Sequence, residues 1–171
     1  MLFRSSCGGC TWQHIAYDHQ LRLKTDLVRR ILEPAVRALP APEPTIAGAP
    51  LDAPWGFRHK VHFLIRDIGQ GRSTATRPRL AHYALGSRRV VPVTECPVHA
   101  ARGNALAFSF LDTLSRLSPQ SRSVLKSVDI RVAAHTPDVM VTVVVSRDGD
   151  RALRAATRRF IEQAAPTSVH L

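Results

Sequence analysis

Cysteine is scarce in this chain: Cys7, Cys10 and Cys96 are the only three in 171 residues. An odd, small number argues against a disulfide framework and leaves metal binding or a reactive thiol. Long apolar runs are missing as well. Nothing approaches the roughly 20 residues that cross a bilayer, and the opening "MLFRSSCGGC" has no apolar stretch of the kind a secretion signal needs. The expectation is a soluble, cytoplasmic, monomeric protein with no membrane partner. Acidic residues are few, 13 against 24 lysines and arginines, giving a net charge of +11. Such a surplus points to a polyanionic partner; the bland reading is a genome that favours arginine and alanine. Several chemistries lack their motifs. There is no dinucleotide fingerprint, no Walker motif and no serine-nucleophile motif, and "GQGRST" at Gly69 is only a fragment of a glycine-rich loop.

What is present begins at Cys7-Gly8-Gly9-Cys10. Glycines let the backbone fold tightly, so that two sulfurs face one ion and N–H groups point at them. Zinc ribbons and iron–sulfur sites both use this spacing. A redox dithiol is the weaker reading, because no strand precedes the pair; an unremarkable pair stays open. Cys96, in "VTECPVH", follows a strand and precedes a helix, and is either a buried inert thiol or a rigidly held ligand. His99 is a candidate fourth ligand for a zinc site, and His14 another.

Periodicity suggests a helix over Trp12–Leu39, with Leu21, Val28, Leu32, Ala35 and Leu39 on one face and a stop or kink near Glu33 at Pro34. "LPAPEPTIAGAPLDAP" is a stiff connector. The division expected is therefore 1–39, a cysteine-pair segment and helix; 40–54, the Pro-rich connector; and 55–171, an α+β domain. In the last, "WGFRHKVHFLIRDI" alternates as a half-buried strand, with Phe57, Val61, Phe63 and Ile65 inward. Gly69–Pro78 reads as a basic loop, and "RLAHYALGSRRVVPV" as a hairpin with Pro92 marking an edge strand. Then follow a strand, a helix burying Val98, Ala101, Ala105, Phe108 and Leu111, two strands, a helix burying Leu153, Phe160, Ile161 and Ala164, and a last strand from Thr167. This is α+β: an antiparallel sheet with helices on one face in a split-βαβ-like order.

Arg58 and Lys60, with Arg72, Arg77, Arg79, Arg88 and Arg89 on the following loops, form a basic cluster suited to RNA. Trp55 and Phe57 read as core anchors more readily than as base-stacking aromatics.

Three blocks, "CGGCTWQHIAYDHQLRLKTDLVRRIL", "PWGFRHKVHF" and "SRRVVPVTECPVH", occur in this order over about residues 1–100. Together they resemble the RNA (uracil-5-)-methyltransferase family, in particular the iron–sulfur-containing ribosomal RNA 5-methyluridine enzymes. The resemblance implies an N-terminal OB-like domain, a central domain with a 4Fe-4S cluster, and a C-terminal Rossmann-like domain that binds S-adenosylmethionine and carries the catalytic cysteine. It implies Cys7, Cys10 and Cys96 as cluster ligands and ribosomal RNA as the partner; Arg58, Lys60, Arg88 and Arg89 are the expected RNA contacts on their charge, Arg58 and Lys60 also on their place in the second block. The family's first ligand would fall at position 1, where Met1 stands, and "PTSVHL" stops inside a strand. The expectation is a central-domain fragment with no catalytic residues, without activity alone, with a zinc-stabilised RNA-binding module as the alternative.

Overall fold

The computed structural model describes residues 6–34, 40–48, 54–69 and 76–171. Met1, Ala35, Arg37, Leu39 and Arg72 lie outside the described residues. The chain divides into two compact units. One joins Met1–Gly9 to Gly56–Leu171; the other is Cys10–Trp55. Among the described residues no helix is long and apolar enough to cross a membrane.

The larger unit is built on a six-stranded sheet. In chain order its elements are β1 (Lys60–Gly69), β2 (Thr76–Tyr83), β3 (Val90–Pro92), α2 (Ala101–Ser115), a short α3 (Pro119–Arg122), β4 (Leu125–Val132), β5 (Val139–Val145), α4 (Arg151–Ala164) and β6 (Ser168–His170). The spatial order is β3-β2-β1-β4-β5-β6. All pairings are antiparallel except β5 with β6. The α+β class is as expected, and so is the placing of Pro92 on an edge strand, where a missing N–H costs no ladder bond. The split-βαβ order is corrected. β5 and β6 are parallel neighbours with nothing between them, and β3 stands at the far edge. The two strands at Lys60 and Thr76 come between β3 and β4 because β1 pairs with both β2 and β4.

Alternation along β1 sends Val61, Phe63 and Ile65 to one face. Leu80 of β2, Val128 and Ile130 of β4 and Val139, Val141 and Val143 of β5 are buried with them. The rings of Phe63 and Phe108 meet edge-on at 6.2 Å, and Phe110 of α2 lies 5.0 Å from Phe160 of α4, so both helices pack on this one face. Their buried stripes differ from the periodicity reading. In α2 they are Gly103, Leu106, Ala107, Phe110 and Leu114, while Ala101 and Ala105 are exposed. In α4 they are Leu153, Ala156, Thr157 and Phe160, and Ile161 is 40% exposed. Each helix offers two apolar stripes, and the larger side chains Leu106, Phe110 and Leu114, at successive steps of four, take the core. Phe57 is 55% exposed because the strand starts only at Lys60, and Trp55 is 38% exposed, so neither is a core anchor. Arg77 and Pro78 belong to β2 rather than to a loop.

Two devices secure the ends. Asp150 caps α4 by accepting from the Leu153 N–H at 2.8 Å. Arg122, nearly buried, donates its Nε to Asp67 at 2.9 Å and its Nη1 to the Leu117 carbonyl, tying α3 to the end of β1.

The smaller unit is organised around α1 (Tyr17–Leu32). It starts later than the periodicity suggests and ends where Pro34 forces it to. Gln20 donates to the carbonyls of Trp12 and Ile15, and Thr25 bonds Thr45 on the connector. The described part of that connector, 40–48, has neither helix nor strand. No residue of α1 is buried; Val28 and Leu32 are each 44% exposed.

Candidate functional site

Cys7 is fastened to the sheet unit by backbone. It bridges Ala84 just beyond β2, and the Gly8 N–H donates to the Tyr83 carbonyl at 2.8 Å. The approach is so close that a Cβ on Gly8 would stand 2.7 Å from the Leu85 nitrogen, which only glycine permits. A Cβ on Gly9 would be 3.5 Å from the Cys7 Sγ and 3.9 Å from the ring of His82, so thiol and imidazole share one neighbourhood.

Cys96 is buried in the turn after β3. Asn104 of α2 grips its backbone from both sides: the Cys96 N–H donates to Oδ1 at 3.1 Å, and Nδ2 donates to the Cys96 carbonyl at 2.8 Å. The His99 N–H closes the turn by donating to the same carbonyl at 2.9 Å.

Arg58 connects these two segments. Its N–H donates to the Val98 carbonyl at 2.7 Å and its carbonyl accepts from the Ala100 N–H at 3.0 Å, while its Nη1 donates to the Gly9 carbonyl at 3.0 Å. One residue thus clasps the cysteine loop to the Cys96–His99 turn and brings a fixed positive charge to both. Its side chain is half-buried rather than displayed.

The histidines feel that charge. His99 is 1% exposed, and neither ring nitrogen has a hydrogen-bond partner among the described residues. Its Nε2 faces Gly103, where a Cβ would be 2.2 Å away. Burial, then the Arg58 guanidinium, hold its pKa down to about 4. His82 is lowered too, by burial first and by Arg58 next. The Phe63 ring lies 5.0 Å from His82 and 6.0 Å from His99. Both imidazoles are neutral at pH 7, the form that ligates metal and adds no repulsion to Arg58.

Cys10 begins the smaller unit and is half-buried there; His14, in the same unit, is exposed. Among the described residues, no three His, Cys, Asp or Glu side chains stand together as a ready ligand set. The donor chemistry nevertheless suits a metal–sulfur group: two thiols on rigid turns, loop N–H groups, and an adjacent cation for anionic sulfur. Sequence reasoning missed Arg58 as the clasp and Asn104 as the brace. A half-buried arginine and an asparagine on a helix carry no spacing signal that announces either role.

Of the other basic candidates, Lys60 begins β1, and Arg88 and Arg89 follow the β2–β3 turn; all three are exposed. Ser87 Oγ accepts from the Arg89 N–H, fixing that turn.

No protein-family model matches the chain. A protein of Gloeobacter violaceus named as an uncharacterized RNA methyltransferase is 29% identical over 166 residues, covering 93% of this chain and 35% of that protein. One of Listeria innocua with the same description is 34% identical over 96 residues, 54% of this chain and 19% of its own length. The chain thus spans about a third or less of the curated relatives it matches. Among solved structures, the Pyrococcus abyssi tRNA (uracil-54, C5)-methyltransferase in complex with S-adenosyl-L-homocysteine superposes with a TM-score of 0.53 at 22% identity. The match covers 86% of this chain and 34% of that one. This second likeness is one of fold.

Proposed function

We propose that the chain belongs to the RNA (uracil-5-)-methyltransferase family, a reading supported by relatives named as RNA methyltransferases and by the fold of the structural neighbour, and that it is the iron–sulfur and RNA-binding part of a cytoplasmic, S-adenosylmethionine-dependent ribosomal RNA (uracil-5-)-methyltransferase. Methyl transfer and the S-adenosylmethionine site fall to the part of the relatives that this chain does not span. Cys7, Cys10 and Cys96 hold the metal–sulfur group, which serves as a structural staple, since methylation of uracil needs no electron transfer.

The observation that carries this reading is the Arg58 clasp, which joins the Gly9 loop to the Cys96–His99 turn. Each part of the chain has a task in it. Gly8 seats the loop against the β2–β3 turn, Asn104 fixes the Cys96 backbone, and the guanidinium offsets thiolate charge. Arg58, Lys60, Arg88 and Arg89 meet RNA phosphates.

The alternative is a zinc-stabilised RNA-binding module in which His99 joins the three cysteines. Its unpartnered nitrogens favour it; the seating of Nε2 on Gly103 disfavours it. Metal and acid-labile sulfide analysis of anaerobically purified protein separates the two. Iron with sulfide and a brown colour is expected. One zinc per chain without sulfide overturns the cluster reading, and absence of both overturns the metal centre altogether.

A further inference from the structure

The sheet's other face, turned away from α2 and α4, carries a charge pattern that folding alone does not account for. Residues paired directly across neighbouring strands project from the same face. On this face Lys60 stands opposite Arg131, and Arg66 opposite Arg79. Like charges set directly opposite each other destabilise a sheet, yet two such pairs occur along one strand. Between them, His62 faces Asp129 at 3.1 Å. Asp129 is the only acidic side chain on this face among the described strand residues, and none of Lys60, Arg79 and Arg131 is in an ion pair among the described residues. The alternation of β2 adds Tyr83, 46% exposed, to the face that carries Arg79.

We infer that this outer sheet face is a binding surface for single-stranded RNA. The inference rests on the RNA reading above, shares Lys60 with it and adds Arg66, Arg79, Arg131 and Tyr83 as contacts. An anionic strand running across the face relieves both like-charge pairs at once. The two pairs are six residues apart along β1, about 20 Å, too far for one phosphate group to serve both, so the ligand is a polymer rather than a nucleotide. Tyr83 supplies a ring for an unpaired base, which a duplex does not offer. The arginines of α4 are a poorer candidate: no exposed aromatic accompanies them, and Arg154 is already engaged by Asp148 at 2.7 Å.

The test is a salt-dependent titration of the full chain with a labelled single-stranded RNA oligonucleotide, with a duplex of the same length alongside. R79Q/R131Q removes one charge from each pair. It should weaken binding at least tenfold and flatten the salt dependence by about 1.4 in the log–log slope, the share of two single-strand phosphates. R158Q/R159Q on α4, with the same charge removed, should change binding less than threefold. Y83A should lose about tenfold and Y83F little, the pattern of stacking. Without RNA, R79Q and R131Q should each melt at the same temperature as the parent or above it, which separates relief of repulsion from damage to the fold. If R158Q/R159Q weakens binding as much as R79Q/R131Q, or Y83A binds normally, the surface is overturned while the RNA reading stands. If the parent chain binds no RNA, or binds only anionic phospholipid vesicles, both fall.

Discussion

The two units spend their apolar residues in opposite ways. In the sheet unit Phe63, Phe110 and Phe160 are fully buried, and Arg122 is the arginine buried with them among the described residues. In the Cys10–Trp55 unit α1 buries nothing, and Leu27 and Ile31 are 49% and 64% exposed. A helix without a buried face draws little stability from packing; α1 depends on local ion pairs, Asp18 with Arg22 and Asp26 with Arg29, and on its bonds to the connector. The lesson is that the cysteines are divided between a unit with a packed core and one whose helix buries nothing: Cys7 and Cys96 belong to the first, Cys10 to the second. Both tryptophans, Trp12 and Trp55, lie in the second, so tryptophan fluorescence follows that unit alone while far-ultraviolet circular dichroism also follows the sheet.

The largest break in the comparison comes from Phe160→Ala. It empties the contact between α2 and α4 and should cost roughly 3–5 kcal/mol in urea unfolding followed by circular dichroism.

Acid should come next, through His99. Its pKa is about 4 in the fold against 6.5 when unfolded. Between those values the unfolded chain binds the extra proton, so stability rises with pH across this window. It is complete above pH 6.5 and lost as pH falls through 4, about 3 kcal/mol in all. His99→Gln should flatten that part of the pH–stability curve; an unchanged curve would remove His99 as its source.

Asp67→Ala strands the Arg122 guanidinium, 6% exposed at its side chain. The expected loss is about 2 kcal/mol in the same unfolding measurement, discounted for the partial exposure of Asp67.

Leu27→Ala or Ile31→Ala should be the mildest, within about 0.5 kcal/mol, and confined to the tryptophan signal. A loss comparable with Phe160→Ala would mean that α1 is packed as firmly as the sheet unit and would erase the contrast.

Much of this was legible in the residues. Alternation marks Val61, Phe63 and Ile65 because a strand's period of two leaves one reading, and Pro34 and Pro92 announce a helix end and an edge by what they cannot donate. The buried stripes of α2 and α4 were harder, since alanine-rich helices present two apolar faces and only the neighbours decide between them. Strand order was not legible, because long-range pairing of β1 with β4 leaves no local trace. At the site, the spacing of Cys7 and Cys10 and the block around Cys96 single these residues out as candidates from sequence alone. The clasp did not: Arg58 looks like one more basic residue until its backbone and its guanidinium are seen to hold different segments.

The central proposal is that Cys7, Cys10 and Cys96 serve one metal centre. Iron and acid-labile sulfide per chain, measured after anaerobic purification of the parent and of C7S, C10S and C96S, tests it most directly. The expected result is iron with sulfide in the parent and a marked loss in every variant, C10S included. A C10S protein that keeps the parent's full iron and sulfide, or a parent with neither, would contradict it.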